Sequence, residues 1–196
     1  MAKFILFLIP LLLQGQADIS PTLGLNLTRP YLIRVSKFIC VEQPYKNTEV
    51  HICNIKLHRN KPASLNLHFT FTKPTKIMHL AFTMFYKYTT FQPFLMQFDI
   101  DLCHYFSEQR GKGINKIADF VIDFATSQVS WIDRCPYYGR YNITNFQVTP
   151  DIMPKFLPAG DYRLDARHYD ESNNTWMYFQ IFYSVRAKGL IDLSMG

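Results

Sequence analysis

The sequence lacks the short motifs that mark common enzyme families. It has no Gly-x-Ser-x-Gly elbow for a nucleophilic serine, no His-Glu-x-x-His for a catalytic zinc, no phosphate-binding P-loop and no Gly-x-Gly-x-x-Gly for a dinucleotide. A hydrolase would need a nucleophile beside a general base, and no such pair is evident. We therefore expect a protein that is not an enzyme and that needs no cofactor.

A clustered stripe of basic residues is also missing. The 21 Lys and Arg residues are scattered among 15 Asp and Glu residues, for a formal net charge of +6. Nucleic-acid binding usually requires such a stripe, so we expect no nucleic-acid partner. A basic surface that meets anionic lipid headgroups is an alternative to simple solubility, and we favour solubility.

Long apolar runs are absent after the N-terminus. The run Phe4–Leu13 follows Lys3 and precedes the small residues Gly15 and Ala17, as is typical of a secretory signal peptide cleaved after Ala17. An N-terminal anchor helix is the alternative, but the run ends at Gln14, short of the roughly 18 apolar residues that span a bilayer. We therefore expect a secreted, extracellular chain without a transmembrane segment. It divides into a signal peptide (1–17), a flexible lead-in (18–30) and a single domain (31–196).

Four cysteines, none in a Cys-x-x-Cys pair, follow the predicted signal peptide. An even number in a secreted chain indicates two disulfides, and the spacing disfavours the alternative of a zinc site. Of three possible pairings we favour Cys40–Cys53, tying two neighbouring strands across a turn, and Cys103–Cys135, closing a loop around a helix. Three sequons are expected glycosylation sites: Asn26, Asn142 and Asn173.

Alternation of apolar and polar residues dominates the rest of the chain. It is complete from Ala63 to Thr72, which predicts a strand with one buried and one wet face. Only one segment changes to helical spacing, an amphipathic helix of about three turns from Ile114 to Ala125. The pattern predicts an antiparallel sandwich. The other expected strands are 31–39, 49–58, 77–89, 94–102, 141–148, 162–167 and 176–185.

The chain has more large apolar residues than a sandwich with one apolar face per sheet requires. It contains 17 Phe, 12 Tyr and 7 Met. The strand expected at 77–89 adds Ile77, Ala81 and Phe85 on the face opposite its main apolar stripe, and the last strand adds Trp176, Tyr178 and Phe182. The helix, a loop, a partner or a ligand must cover these second faces.

One group of polar residues has metal-binding or acid–base potential. Asp99 and Asp101 share a strand face near His104. Two carboxylates spaced two residues apart are common on the wet face of a strand, so we favour a solvated strand edge and expect no metal.

Three stretches together are similar to a known family. They are Pro93-Phe94-Leu95 running to Asp101-Leu102-Cys103-His104-Tyr105-Phe106; Cys135-Pro136-Tyr137-Tyr138-Gly139 with Tyr141-Asn142-Ile143; and Leu157-Pro158-Ala159-Gly160-Asp161-Tyr162-Arg163-Leu164. With Lys37-Phe38-Ile39-Cys40 upstream, they resemble an insect family of small secreted proteins of the chemosensory protein B type. That family is related to the ganglioside-activator branch of the ML (lipid-recognition) superfamily.

The resemblance implies an immunoglobulin-like β-sandwich whose sheets splay apart to hold a lipid. Insect members of the chemosensory type are thought to help sense contact pheromones, often long-chain hydrocarbons. The family supplies no catalytic residues, and the matched cysteines are structural bridges. Vertebrate lipid binders carry different cysteine patterns, so their ligand contacts do not transfer by position.

A ligand between two sheets would be lined by the inward residues of the alternating strands. The expected lining residues are Leu67, Phe69, Phe82, Met84, Met96 and Phe98, with Phe120 or Phe124 from the helix. Ordinary core packing is the alternative for each. The segment Met153–Ala159, with Phe156 and Leu157 between prolines, either flanks an entrance or is a buried connection. The functional alternative to a ligand carrier is a protein-interaction module or receptor cofactor with a filled core.

Overall fold

A computed structural model of the chain describes residues 31–59, 61–150, 153–154 and 157–187. The predicted signal peptide, the lead-in and the Asn26 sequon lie outside these residues. Where the structure describes the chain, it is mainly β, with eight strands and few helical residues. The strands are β1 (Tyr31–Cys40), β2 (Thr48–Lys56), β3 (Ser64–Thr75), β4 (His79–Lys87), β5 (Phe91–Asp101), β6 (Tyr137–Gln147), β7 (Gly160–Tyr169) and β8 (Thr175–Ala187).

The strands form two antiparallel sheets that face each other. The larger sheet has the order β1-β8-β7-β4-β5, and the smaller has the order β2-β3-β6. Side chains from the inner faces of both sheets meet in one apolar core. The predicted β-sandwich is confirmed, and its immunoglobulin-like character follows from two antiparallel sheets packed face to face.

In β3, apolar and polar residues alternate in the sequence, and buried and partly exposed side chains alternate in the structure in the same way. Leu65, Leu67, Phe69 and Phe71 are buried, whereas the intervening residues are partly exposed. The apolar face of β3 packs in the core between the sheets, and a shift of one residue would move these side chains to the solvent face, so burial specifies the register. The same alternation buries Met96, Phe98 and Ile100 of β5.

One residue of β8 departs from the predicted face. Trp176 was expected opposite Met177, but both are buried. Along the pairing with β7, His168 is opposite Met177 and Tyr169 is opposite Thr175, so Trp176 is the extra residue of a bulge. The bulge turns the Trp176 ring inward, where it packs edge-on against Phe71 at 5.3 Å between ring centroids.

The amphipathic helix is confirmed as α2 (Lys116–Gln128), which follows the shorter α1 (Leu102–His104). The side chain of Asn115 begins α2 by accepting a hydrogen bond from the Ala118 N–H at 3.0 Å. Ala118 and Ile122 are the buried residues of its inner face. Ile114, the first residue of the predicted stripe, lies before the helix and is 65% exposed.

The short α1 was not predicted, because Leu102 continues the apolar alternation of β5. The side chain of Asp101 accepts a hydrogen bond from the Cys103 N–H at 2.9 Å. This cap ends the strand and begins the helix, and a π-helical turn follows at Tyr105–Gln109. The chain therefore leaves the larger sheet one residue before the predicted end of the strand.

The two disulfides join Cys40 to Cys53 and Cys103 to Cys135, the favoured pairing. The closeness of Cys40 and Cys53 in sequence predicted a bridge between neighbouring strands of one sheet, but the two strands belong to different sheets. The first bridge links β1 at one edge of the larger sheet to β2 at an edge of the smaller sheet. The second links α1, which follows β5 at the opposite edge of the larger sheet, to Cys135, two residues before the other edge strand, β6. Each bridge therefore holds one pair of sheet edges together.

Stacked cations cover the outer face of the larger sheet. The Arg163 guanidinium lies 4.3 Å from the centroid of the Phe85 ring and 5.1 Å from that of Phe91, and Lys37 lies 5.4 Å from that of Phe182. Such contacts let a charged side chain shield an aromatic ring while its own charge stays near water. Part of the apolar excess on the second face is therefore covered by the sheet's own side chains.

Candidate ligand-binding cavity

A cavity of about 210 Å³ lies between the two sheets. Its walls come from all five strands of the larger sheet, with Phe38 on β1, from β3 and β6 of the smaller sheet, from α1 and α2, and from the loop that follows α2. Nearly all of its surface is apolar. At about 30 Å³ for each water-sized group, the space holds roughly seven such groups, which is room for a segment of an alkyl chain.

Five of the eight expected lining residues lie on the wall of the cavity. Leu67 and Phe69 contribute from β3, Phe82 from β4, Met96 from β5 and Phe124 from α2. The four strand residues are almost fully buried and face the opposite sheet. The alternation of these strands was therefore sufficient to place their inward side chains at the cavity.

Three expected lining residues are not on the wall. Met84 is completely buried, and its sulfur accepts a hydrogen bond from the Tyr183 hydroxyl at 3.1 Å, so it belongs to packed core. Phe98 stacks on Phe82 with 5.0 Å between ring centroids and lies outside the wall. Phe120 is 42% exposed because α2 turns it toward solvent. An inward position on a strand did not place Met84 or Phe98 on the cavity wall, and a position on α2 did not place Phe120 there.

The loop after α2 supplies a wall that the sequence did not predict. Trp131 lies in this loop, with its ring centroid 4.4 Å from that of Tyr141 and 5.8 Å from that of Phe69. The loop is tied to the larger sheet by the Cys103–Cys135 bridge. Because residues 129–134 have no helical or strand periodicity, only the size and apolar character of Trp131 could have indicated its role.

The lining approaches the surface between α2 and β6. The Phe124 and Phe146 rings meet edge-on there, with centroids 5.8 Å apart, and both side chains are half-buried. Val121 and Ala125 of α2 and Ile143 of β6 also line the cavity and are half-buried. This side is the most accessible part of the wall described by the structure. Asn142 and Asn173, the two sequons within the described residues, are exposed.

The expected segment Met153–Ala159 is partly a buried connection. Met153 lines the cavity and is 2% exposed, and Leu157 is 5% exposed. The Tyr31 hydroxyl donates a hydrogen bond to the Pro154 carbonyl at 2.6 Å and so attaches the segment to β1. Phe156 lies outside the described residues.

Few polar atoms reach the cavity. The hydroxyl of Tyr137 donates to the Ile132 carbonyl, and that of Tyr183 donates to Met84 Sδ. Burial raises the pKa of Tyr183 far above its ordinary value, so its hydroxyl stays protonated. His168 also lines the wall, and burial lowers its pKa to about 4, against a smaller opposing effect of the adjacent Met177 backbone. The wall is therefore uncharged at neutral pH.

The acidic pair and the histidine proposed as a possible metal site do not converge. Asp99 accepts a hydrogen bond from the Tyr169 hydroxyl at 2.6 Å, whereas Asp101 caps α1. The Nδ1 of His104 instead lies 3.8 Å from a carboxylate oxygen of Glu108. Within the described part of the chain, no group of three His, Cys, Asp or Glu side chains could hold a metal ion.

Comparisons with known proteins give the following likenesses. Residues 80–164 match the model of a family described as "Protein of unknown function (DUF1091)". No curated protein matches the chain. None of the helices in the described ranges is long and apolar enough to cross a membrane.

Two solved structures are similar to this chain. Chicken MD-1, solved in complex with lipid IVa, has 12% identity and a TM-score of 0.34, with 80% of this chain and 97% of that chain covered. A Niemann-Pick type C2 protein from the Japanese carpenter ant has 13% identity and a TM-score of 0.30, with 77% and 90% covered. Likenesses this remote do not transfer a function.

Proposed function

We propose that this protein binds an apolar small molecule, a lipid or long-chain hydrocarbon, between its two sheets. The observation that carries the proposal is the cavity itself, with almost wholly apolar walls drawn from both sheets and α2. Protein interiors are normally packed with few voids larger than a water molecule. A space lined mainly by apolar side chains such as Phe, Leu and Met is the usual form of a site for an apolar ligand.

The size of the cavity is sufficient for useful affinity. Burying about 300 Å² of alkyl surface at about 25 cal/mol per Å² contributes roughly 7 kcal/mol. Losses of ligand freedom offset part of this, and the long, adaptable side chains of Met96 and Met153 allow the wall to adjust to the occupant. Since about 7 kcal/mol before these losses corresponds to a dissociation constant of about 10 μM, the expected affinity lies between about 10 μM and 1 mM.

We further propose that the protein acts outside the cell. The two disulfides support this compartment, because such bridges persist in oxidising environments. A role in carrying or presenting a chemical signal, such as a contact pheromone, and a cell-surface receptor as partner follow from the sequence resemblance and remain part of the proposal. The competing function is that of a protein-interaction module with a filled core, and the cavity disfavours it because the core is not filled.

A tryptophan at the accessible side of the cavity tests the proposal. Ala125 of α2 lines the cavity and is half-buried, whereas Ser127 of the same helix is exposed and does not line it. We expect Ala125→Trp to weaken binding of the neutral fluorescent probe N-phenyl-1-naphthylamine at least tenfold, and Ser127→Trp to leave it within twofold. Equal binding by both variants, or none by the unaltered protein, would contradict the proposed site.

A further inference from the structure

Two nitrogen atoms of the cavity wall are buried without a hydrogen-bond partner. They are Nε1 of Trp131 and Nδ1 of His168. Trp131 lies in the loop after α2, and His168 lies on β7 in the larger sheet. The other unpartnered buried side-chain atoms in the described residues belong to Asn47 and Thr48, which do not line the cavity.

Such atoms are rare because their burial costs free energy that a hydrogen bond would recover. The indole Nε1–H can only donate, so its partner must carry an acceptor such as oxygen. A neutral imidazole can donate or accept at Nδ1, depending on its tautomer. A hydroxyl suits either atom, whereas a pure hydrocarbon satisfies neither.

The rest of the wall limits the charge of the partner. None of the lining residues in the described ranges is Lys, Arg, Asp or Glu. His168 is uncharged at neutral pH because its burial disfavours the protonated ring. The hydroxyl groups of Tyr137 and Tyr183 already donate to protein atoms. A carboxylate or phosphate inside the cavity would therefore be a buried charge without a counterion.

We propose, on the basis of the function proposed above, that the ligand is a neutral lipid with a hydroxyl or carbonyl oxygen, for which Trp131 and His168 are the polar anchors. The long-chain part fills the apolar space, and the oxygen supplies the missing hydrogen bond. This chemistry is that of a fatty alcohol, aldehyde, ketone or ester. A saturated hydrocarbon lacks the oxygen, and an ionised fatty acid carries a charge.

Competition between three ligands of equal chain length tests the inference. Delipidated protein is incubated with an equimolar mixture of hexadecane, hexadecanol and hexadecanoate, re-isolated, and its bound ligand quantified by mass spectrometry. We expect at least tenfold more hexadecanol than either competitor. Trp131→Phe and His168→Phe keep a ring at each position, and each variant should lower the ratio of alcohol to alkane at least threefold.

Trp176→Phe is the matched control. The Nε1 of Trp176 already donates to Asp170 at 3.2 Å, and its ring does not line the cavity, so its replacement should leave the ratio unchanged. Equal uptake of hexadecane and hexadecanol, or preference for hexadecanoate, would overturn this inference and leave the proposed function standing. Uptake of none of the three would contradict both. An alcohol preference that survives in both anchor variants would overturn the assignment of Trp131 and His168.

Discussion

Cys40 and Cys53 are bonded across the two sheets, not within one. Cys40 ends β1 at the edge of the five-stranded sheet, and Cys53 lies in β2 at the edge of the three-stranded sheet. Cys103–Cys135 joins the other two edges of the sheets, near β5 and β6, so each pair of sheet edges is held by one disulfide. The spacing between the sheets is therefore fixed covalently as well as by packing.

The double variant Cys40→Ser, Cys53→Ser should unfold more easily. Loop-entropy arguments give a loss of about 3 kcal/mol in the free energy of unfolding for a bridge of this span. Because the spacing of the sheets also sets the cavity, affinity for the fluorescent probe should fall as well. Urea denaturation and probe titration measure the two effects. An unchanged affinity in a variant that remains folded would show that the bridge does not shape the cavity.

Tryptophan should cost more stability at Met84 than at Ala125. Met84 is completely buried and contacts Tyr183, so Met84→Trp overpacks the core and should cost about 1–3 kcal/mol of unfolding free energy. Ala125 is half-buried beside open space, so Ala125→Trp should cost less than about 1 kcal/mol. Thermal and urea unfolding of the two variants without ligand make the comparison. A harmless Met84→Trp would mean that open space extends to this side chain.

His168 should make the stability of the fold depend on pH. Its pKa is about 4 in the folded protein and 6.5 without burial. Between these values the unfolded chain binds a proton that the folded protein does not, so the unfolding free energy falls as pH falls from 6.5 toward 4. The full effect is up to about 3 kcal/mol, and His168 contributes no further loss at lower pH.

The difference between the unaltered protein and His168→Phe isolates this effect from other titrating groups. We expect the unaltered protein to lose more stability than the variant over this pH range, as measured by urea denaturation at each pH. Parallel pH profiles of the two proteins would show that His168 is not held neutral by the fold.

Arg163 should stabilise the outer face of the larger sheet. Its guanidinium stacks on Phe85 and makes two hydrogen bonds, at 2.7 and 3.0 Å, to the carboxylate of Asp165, which is 8% exposed. Arg163→Ala removes the stack and leaves that carboxylate without its cation, at an expected cost of about 2–4 kcal/mol. Arg163→Lys, which keeps only the charge, should recover part of this loss in urea denaturation. Full recovery would show that stacking and paired hydrogen bonds contribute nothing.

The strands and the cavity wall could be predicted to different extents. In β3, burial on one face imposes an alternation that the sequence displays directly, so Leu67 and Phe69 were placed correctly. Alternation does not say whether an inward side chain meets open space or another side chain, and therefore Met84 and Phe98 could not be distinguished from Phe82. The bulge at Trp176 depends on the pairing of two distant segments, which one strand's pattern does not contain.

His168 was missed for a different reason. The predicted strand ended at Arg167, whereas β7 continues to Tyr169. Two more residues of the same alternation, after Tyr162, Leu164 and Ala166, place His168 on the inner face. The alternation in the sequence therefore indicated that His168 faces the core. It was not used because polar residues near the ends of strands are usually solvated. Trp131, in a loop, had no such periodicity.

The most direct test of the central claim is the ligand content of the protein itself. The protein is purified without detergent, examined by native mass spectrometry, and then extracted with organic solvent so that any bound molecule is identified. We predict a bound apolar molecule at about one per chain, and its absence from a preparation of Ala125→Trp. A protein that arrives empty from both cultured cells and native tissue, and then takes up no lipid offered to it, would contradict the account.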